Sequence, residues 1–233
     1  MTLLSLIDFD KQLLLGLNGS ESLFMDGLMK TLTTASTWIP LYIALFYLVV
    51  KNNDRWQKVL LIVGCAALCV FLAGSLDDMF VKPTVARWRP THDPIIGMDV
   101  DVVNNYRGGR YGFFSAHASN TFSIAIFFAL LIRNRFLSVA MVVWSLVNCW
   151  TRMYLGVHYP GDILVGLIWG GLVGTVVWYL HLRVSRQFVS DKTYISTQYT
   201  STGYQTCDVH VVISVLVYTF IYAVLRACCF IYV

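Results

Sequence analysis

Between Thr151 and Asp162 the chain reads TRMYLGVHYPGD, with Arg152, His158 and Asp162 spaced so that a guanidinium, an imidazole and a carboxylate can meet at one membrane surface. Tyr159-Pro160-Gly161 breaks the backbone there, between two apolar runs. A guanidinium presents planar paired donors to a tetrahedral oxyanion. An imidazole oriented by a carboxylate is a nucleophile or a proton carrier. The chemistry this trio points to is phosphate chemistry.

Two upstream blocks supply what the trio lacks. Lys82-Pro-Thr-Val-Ala-Arg-Trp-Arg89-Pro90 adds two cations, and Phe114-Ser115-Ala116-His117 adds a hydroxyl and a second imidazole at the head of an apolar run. Lys82, Arg89 and Arg152 together would neutralise a phosphate dianion. Ser115 offers a hydroxyl donor, and the backbone N–H groups from Ala116 onward would add helix-terminus donors to the phosphate oxygens. Two imidazoles suit a double displacement, in which one attacks phosphorus and the other handles the proton of the leaving group.

The elements that must bring these blocks together are membrane helices. With 57% hydrophobic and 13% charged residues among 233, the chain lies outside the soluble norm of roughly 25% charged. A span needs about 20 mostly apolar residues, and six stretches qualify: Thr31–Val50, Val59–Leu76, Ala116–Ile132, Phe136–Trp150, Ile163–Leu182 and Val209–Tyr232. Because unsatisfied backbone groups are costly in lipid, the expected fold is an all-α polytopic helix bundle. The third and fourth spans form a hairpin that returns the chain to the level of His117 where Arg152 begins, so the three blocks can converge. The expected organisation is an interfacial helix over 1–24, a catalytic membrane domain over 25–182, a polar connector over 183–208 and a terminal membrane helix over 209–233.

The apolar N-terminal run is interrupted by Asp8, Asp10 and Lys11 and lacks a basic lead or a small-residue cleavage site, which argues against a signal peptide. It reads as an amphipathic helix in the interface, with Leu3, Leu6, Ile7, Leu13, Leu14 and Leu17 facing lipid and Asn18-Gly19-Ser20 ending it. The basic turns Lys51–Lys58 and Arg133–Arg135 belong on one side, with the connector; Asp77–Gly112, a long loop, and Thr151–Asp162 belong on the other. With Lys82, Arg89 and Arg152 set aside as phosphate ligands, eight basic residues fall on the side of the short turns and six on the other. The positive-inside rule then makes the short turns cytoplasmic and the phosphate site extracytoplasmic.

The three blocks resemble the type 2 phosphatidic acid phosphatase superfamily, whose pattern is K-x6-R-P, then P-S-G-H, then S-R-x5-H-x3-D. Here KPTVARWRP, FSAH and TRMYLGVHYPGD stand in the same order. The resemblance covers about residues 59–182. It implies that His158 is the nucleophile that becomes phosphohistidine, that Asp162 holds its ring in the reactive tautomer, and that His117 is the general acid for the departing lipid oxygen and then the base for water. It implies a lipid phosphatase of the bacterial inner membrane that needs no metal or other cofactor. Phe114, Ala116 and Thr151 depart from the usual proline, glycine and serine without removing a catalytic group. The motifs contact only the shared phosphate, so lipid A and undecaprenyl diphosphate are equally compatible substrates, with phosphatidylglycerophosphate or phosphatidate behind them and a non-catalytic scaffold disfavoured by the intact charged set. Oligomeric state is not legible.

Other features have blander readings. The net charge of +4 is too small and dispersed for a nucleic-acid partner. The cysteines at 65, 69, 149, 207, 228 and 229 lack CxxC spacing and read as small buried hydrophobes. Arg87, Arg107, Arg110 and Arg226 read as interfacial anchors or loop ion pairs, although Arg107-Gly-Gly-Arg110 could touch a second phosphate or a sugar. His181 and His210 read as interfacial, and His92-Asp93 as part of a turn. Asp99-x-Asp101 is a poor calcium signal.

Overall fold

A computed structural model describes residues 3–185 and 197–230. The side chain of Leu3, residues 186–196 of the expected connector and the last two residues of the expected final span lie outside the described residues. The helices are α1 (Leu3–Leu17), α2 (Leu23–Thr33), α3 (Ile39–Lys51), α4 (Trp56–Val70), α5 (Lys82–Val85), α6 (Ala116–Ile132), α7 (Arg135–Tyr154), α8 (Pro160–Ser185) and α9 (Thr206–Phe230). Among the described residues four continuous helices are long and apolar enough to cross a bilayer: Trp56–Val85, Arg135–Tyr154, Pro160–Ser185 and Thr206–Cys229. Leu23–Thr33 and Ala35–Lys51, bent by 67° to each other, count as a fifth when taken as one broken span, and α6, an apolar helix of 17 residues, brings the number to about six.

The expected first span, Thr31–Val50, is therefore not one straight helix. Its break exposes backbone carbonyls that lipid cannot satisfy. Trp38 Nε1 donates to Leu32 O at 2.8 Å, and Thr37 Oγ1 donates to Thr31 O at 2.7 Å. The bend is thereby internally satisfied and presents Thr33 toward the centre of the bundle. The second span also departs from expectation. It runs on as a helix to Val85, through two wide turns at Phe71–Ser75 and Asp77–Val81, so Lys82 sits on a helix rather than in a loop. Wide turns free carbonyls, and here Ser119 Oγ donates to Ala73 O at 2.9 Å and Trp169 Nε1 donates to Leu72 O at 3.1 Å.

The helix pair α6 and α8 makes the most extensive interface. On α8, Leu164, Ile168, Leu172, Val176 and Leu180 recur every four residues and are exposed, a stripe suited to lipid. The opposite face carries Gly166, Gly170 and Gly174. A Cβ on Gly170 would lie 2.5 Å from Ser119 O; the backbones touch, as small-residue faces permit in membrane bundles. The apolar core joins Trp38, Trp144, Phe127, Leu41, Leu48 and Met141, with Trp38 packed edge-on to Trp144 at 5.7 Å between ring centroids.

The two basic turns lie at one end of the bundle. Gln205 N donates to Asn52 Oδ1 at 2.7 Å, and Thr202 Oγ1 donates to Ile132 O at 2.8 Å, so residues 197–205 bridge the ends of α3 and α6. Helix α1 differs from the expected lipid-facing element. Leu6, Ile7 and Leu13 are exposed as anticipated, but Leu14 is fully buried against Ile96, Val100 and Tyr159. The cysteines also divide: Cys65, Cys69 and Cys149 are buried, whereas Cys207, Cys228 and Cys229 are exposed, so only the first three are core residues. His181 is buried with its ring 6.3 Å from that of Phe127, whereas His210 is exposed.

Candidate functional site

Ser115 caps α6, its Oγ accepting from Ala118 N at 3.4 Å. Its backbone N–H donates to Asp162 O at 3.2 Å. The start of α6, with Ala116 and His117, is thereby fixed beside the start of α8. The α7–α8 turn places His158 and Asp162, 2% and 0% exposed, directly under it. His158 Nδ1 faces Asp162 Oδ2 at 3.7 Å, beyond hydrogen-bond range, and Asp162 Oδ2 accepts from Tyr159 N at 3.1 Å.

The cations approach from three elements. Arg152, on the last turn of α7, is 2% exposed; it donates from Nη1 to Thr33 Oγ1 at 2.6 Å and to Tyr106 OH at 3.0 Å, while its Nε has no partner. Arg89 is held by backbone pairing of its segment with residues 110–112: Arg89 N donates to Arg110 O at 3.1 Å, Gly112 N donates to Arg87 O at 2.9 Å, and Arg89 Nε donates to Tyr111 O at 3.0 Å. Gly112 fits beneath this side chain because a Cβ there would stand 2.9 Å from Arg89 Cγ. Lys82 pairs with Asp77 at 3.0 Å and with Asp78. Asp77 Oδ1 also accepts from Phe114 N at 3.2 Å, which ties the Lys82 helix to the strand-like approach into α6.

Electrostatics confirms the proximity. His158 is held well below the ordinary histidine value by burial first, then by Arg89, Arg152, Lys82 and His117. At neutral pH its imidazole is unprotonated. Arg89 is lowered by burial and by Arg152. Two guanidiniums that repel each other in a buried setting favour an anion between them.

Every residue singled out by its spacing is thus drawn to one place: Lys82, Arg89, Ser115, Ala116, His117, Arg152, His158 and Asp162. Five contributors were not anticipated. Thr33 and Tyr106 hold Arg152; Lys30 Nζ lies 4.1 Å from the Tyr106 ring centroid; Asp77 and Asp78 hold Lys82. Arg87 makes the loop ion pair expected of it, but to Asp162 at 2.6 Å and to Asp10 at 2.7 Å, inside the site rather than away from it. The head-group reading of Arg107 and Arg110 meets other partners: Arg107 donates to Thr91 O at 3.1 Å, and Arg110 stacks on Trp88 at 4.3 Å. Asp93 joins Lys11 at 3.0 Å and accepts from Tyr159 OH at 2.8 Å, a larger role than a turn alone. Among the described residues no cluster of three or more His, Cys, Asp or Glu side chains converges as a metal site.

A helical bundle that spans the membrane and carries this phosphate motif set is an integral-membrane lipid phosphatase, a phosphoric-ester hydrolase. Residues 58–186 match the PAP2 superfamily, and the chain belongs to it. It is 40% identical to the lipid A 4'-phosphatase of Bacteroides thetaiotaomicron over 80% of this chain and 83% of that protein. It is 36% identical to the lipid A 4'-phosphatase of Porphyromonas gingivalis, over 76% and 75% of the two chains. A decaprenylphosphoryl-5-phosphoribose phosphatase of Mycobacterium tuberculosis is 33% identical over 53% of this chain and 62% of its own length. No solved structure matches the chain.

Proposed function

We propose that the protein removes a phosphate from lipid A, or a closely similar phosphorylated glycolipid, at the outer face of a bacterial inner membrane. The single observation that carries this is the 40% identity to a lipid A 4'-phosphatase over four-fifths of both chains. Residues 25–182 would hold the catalytic machinery, with the helix over 209–233 as an additional membrane element. A second reading, a polyprenyl-linked phosphate as substrate, is favoured by the mycobacterial relative, although over only about half of the chain.

In this reading the phosphate sits between Arg89, Arg152 and Lys82, with the N–H groups at Ala116 and beyond completing the cradle. The neutral His158 attacks through Nε2, forming an N–P bond as the ester P–O bond breaks. Its Nδ1–H is oriented by Asp162, which closes the 3.7 Å gap once the ring becomes cationic. His117 gives a proton to the departing lipid oxygen. Water then attacks phosphorus, His117 takes the water proton, the N–P bond breaks, and inorganic phosphate leaves. Lys30 and Tyr106 flank Arg152, where they can meet the sugar or a second anionic group.

Purified protein in detergent should release phosphate from lipid A faster than from polyprenyl diphosphate, phosphatidylglycerophosphate or phosphatidate, with loss of the 4'-phosphate by mass spectrometry. Preference for polyprenyl diphosphate would select the second reading, and no release from any lipid would contradict both.

A further inference from the structure

Asp162 is fully buried, and its two oxygens are used differently. Oδ2 faces the His158 ring and takes the Tyr159 N–H; Oδ1 accepts from Arg87 at 2.6 Å. Both terminal nitrogens of Arg87 are taken up by carboxylates. Its second terminal nitrogen donates to Asp10 Oδ2 at 2.7 Å, and its guanidinium lies 4.2 Å from the Tyr159 ring centroid. Asp10 Oδ1 in turn accepts from Gly161 N at 2.8 Å. Asp10, Arg87, Asp162 and the 159–161 backbone therefore close a ring around the turn that carries His158.

A buried carboxylate needs a fixed partner to stay ionised and to keep one rotamer. The planar fork of an arginine sets that rotamer only when its own plane is held. Here Asp10 and the Tyr159 ring hold it. Burial works against the Arg87 charge, but Asp162 and Asp10 keep it above its ordinary value, so the guanidinium stays charged. The groups that face Asp162 are Arg87, His158, Arg89, Asp10 and Tyr159. Of these only Arg87 touches its Oδ1. The neighbouring Lys11, on the same helix as Asp10, pairs with Asp93, which accepts from Tyr159 OH. Successive residues of α1 thus grip the turn from both sides.

We infer that Asp10 and Arg87 are positioning residues for the reaction: the N-terminal helix lays Asp10 across Arg87 so that Arg87 holds the Asp162 carboxylate against the nucleophilic ring of His158. This rests on the reading of His158 as nucleophile. Helix α1 is thereby part of the site rather than a membrane anchor alone, since its outer residues Leu6, Phe9 and Leu13 are exposed while Asp10 reaches inward. The phosphate grip of Arg89, Arg152 and Lys82 does not pass through this ring, so its loss falls on the chemical step.

The test compares kcat and KM for phosphate release by full-length Asp10→Ala, Asp10→Asn, Arg87→Gln and Arg87→Lys in detergent, each checked for monodispersity and melting temperature. Partners that orient metal-ligating side chains account for about 10- to 100-fold in activity, and the same factor is taken here for partners that orient the Asp162 carboxylate. Arg87→Gln and Asp10→Ala should lower kcat by that factor with KM within about twofold. Arg87→Lys should recover part of kcat by restoring the charge, and Asp10→Asn part by keeping an acceptor for Gly161 N. Combining Arg87→Gln with Asp162→Asn should cost little more than Asp162→Asn alone, because both act through one carboxylate. Unchanged kcat in well-folded Arg87→Gln and Asp10→Ala would overturn the inference, as would an equal rise in KM or full additivity with Asp162→Asn. Failure of the underlying reading looks different: His158→Asn would keep wild-type turnover.

Discussion

The backbone N–H of Ser115 donates to the carbonyl of Asp162 at 3.2 Å, joining the first residues of α6 and α8. One hydrogen bond between helix ends thus sets the level of the two imidazoles, because His117 follows Ser115 by two residues and His158 precedes Asp162 by four. The close glycine face of α8 below it keeps the helices at that spacing. The geometry of the candidate site and the packing of these helices are consequently coupled.

That coupling predicts the outcome of enlarging Gly170. A Cβ there meets Ser119 backbone atoms at 2.5 and 3.0 Å, which cannot swing aside as a side chain can. Gly170→Val should destabilise the protein by about 1–3 kcal/mol, the usual range for overpacking, and lower activity with it. A melting temperature equal to the wild type would refute the packing argument. Gly64 has nothing near its Cβ position, and Gly64→Ala should melt within a degree or two of wild type, roughly the effect of a neutral surface change.

Arg152 predicts a different signature. Its guanidinium is buried, has no carboxylate partner among the described residues, and is held by two hydroxyls, from Thr33 and Tyr106. Arg152→Lys keeps a charge but loses the fork, so phosphate hydrolysis should fall by about 100- to 1,000-fold, in the range for removing one donor to developing negative charge. Steady-state kinetics on lipid A would check this. Activity within threefold of wild type would place the phosphate elsewhere.

The fold and the site were unequally legible in the sequence. Span number and the convergence of Lys82, Arg89, His117, Arg152 and His158 follow from hydropathy and motif order, because the hairpin of α6 and α7 forces the return. The bend after Thr33 carried a signal that hydropathy averages away: the polar cluster over residues 33–37 and Pro40 at the first turn of α3 mark a break, and Thr37 and Trp38 satisfy the freed carbonyls there. The extension of α4 to Val85 was hidden by two aspartates that look like loop residues but serve Lys82. Asp10 carried a signal: an acid on a helix otherwise suited to lipid needs a cation, and the sequence alone does not say that Arg87 supplies it.

The pH dependence follows from His158. Burial, then Arg89, Arg152, Lys82 and His117, hold it well below its ordinary value of 6.5. The free enzyme therefore keeps this imidazole neutral as the pH falls through 6.5, and if His158 is the nucleophile, as proposed, the acid limit of kcat/KM attributable to it should lie below that value. The sign for stability is opposite in benefit. An unfolded chain takes up the proton below about 6.5 while the folded one does not, so this residue's contribution is full above that pH and shrinks as acid is added. Melting temperatures of wild type and His158→Asn between pH 5 and 8 would test it; wild type should lose more on acidification, and parallel curves would contradict the assignment.

Lys30 lies beside Tyr106 on the wall of Arg152. Lys30→Ala should change the ratio of rates on lipid A and on a simple phosphatidate by about tenfold, the worth of one charge-assisted hydrogen bond. Rate ratios across the same lipid panel provide the check, with Arg110→Ala, whose guanidinium stacks on Trp88, as the comparison. An identical ratio in Lys30→Ala and wild type would remove Lys30 from substrate selection.

The most direct test of the account is acid-labile, base-stable labelling of the protein by a lipid substrate carrying radioactive phosphate, followed by peptide mapping. The label should appear on His158 and vanish in His158→Ala, while His117→Ala should slow both its appearance and its decay, since the same imidazole serves the leaving oxygen and the water. A label on any other residue, or its persistence in His158→Ala, would contradict the central claim.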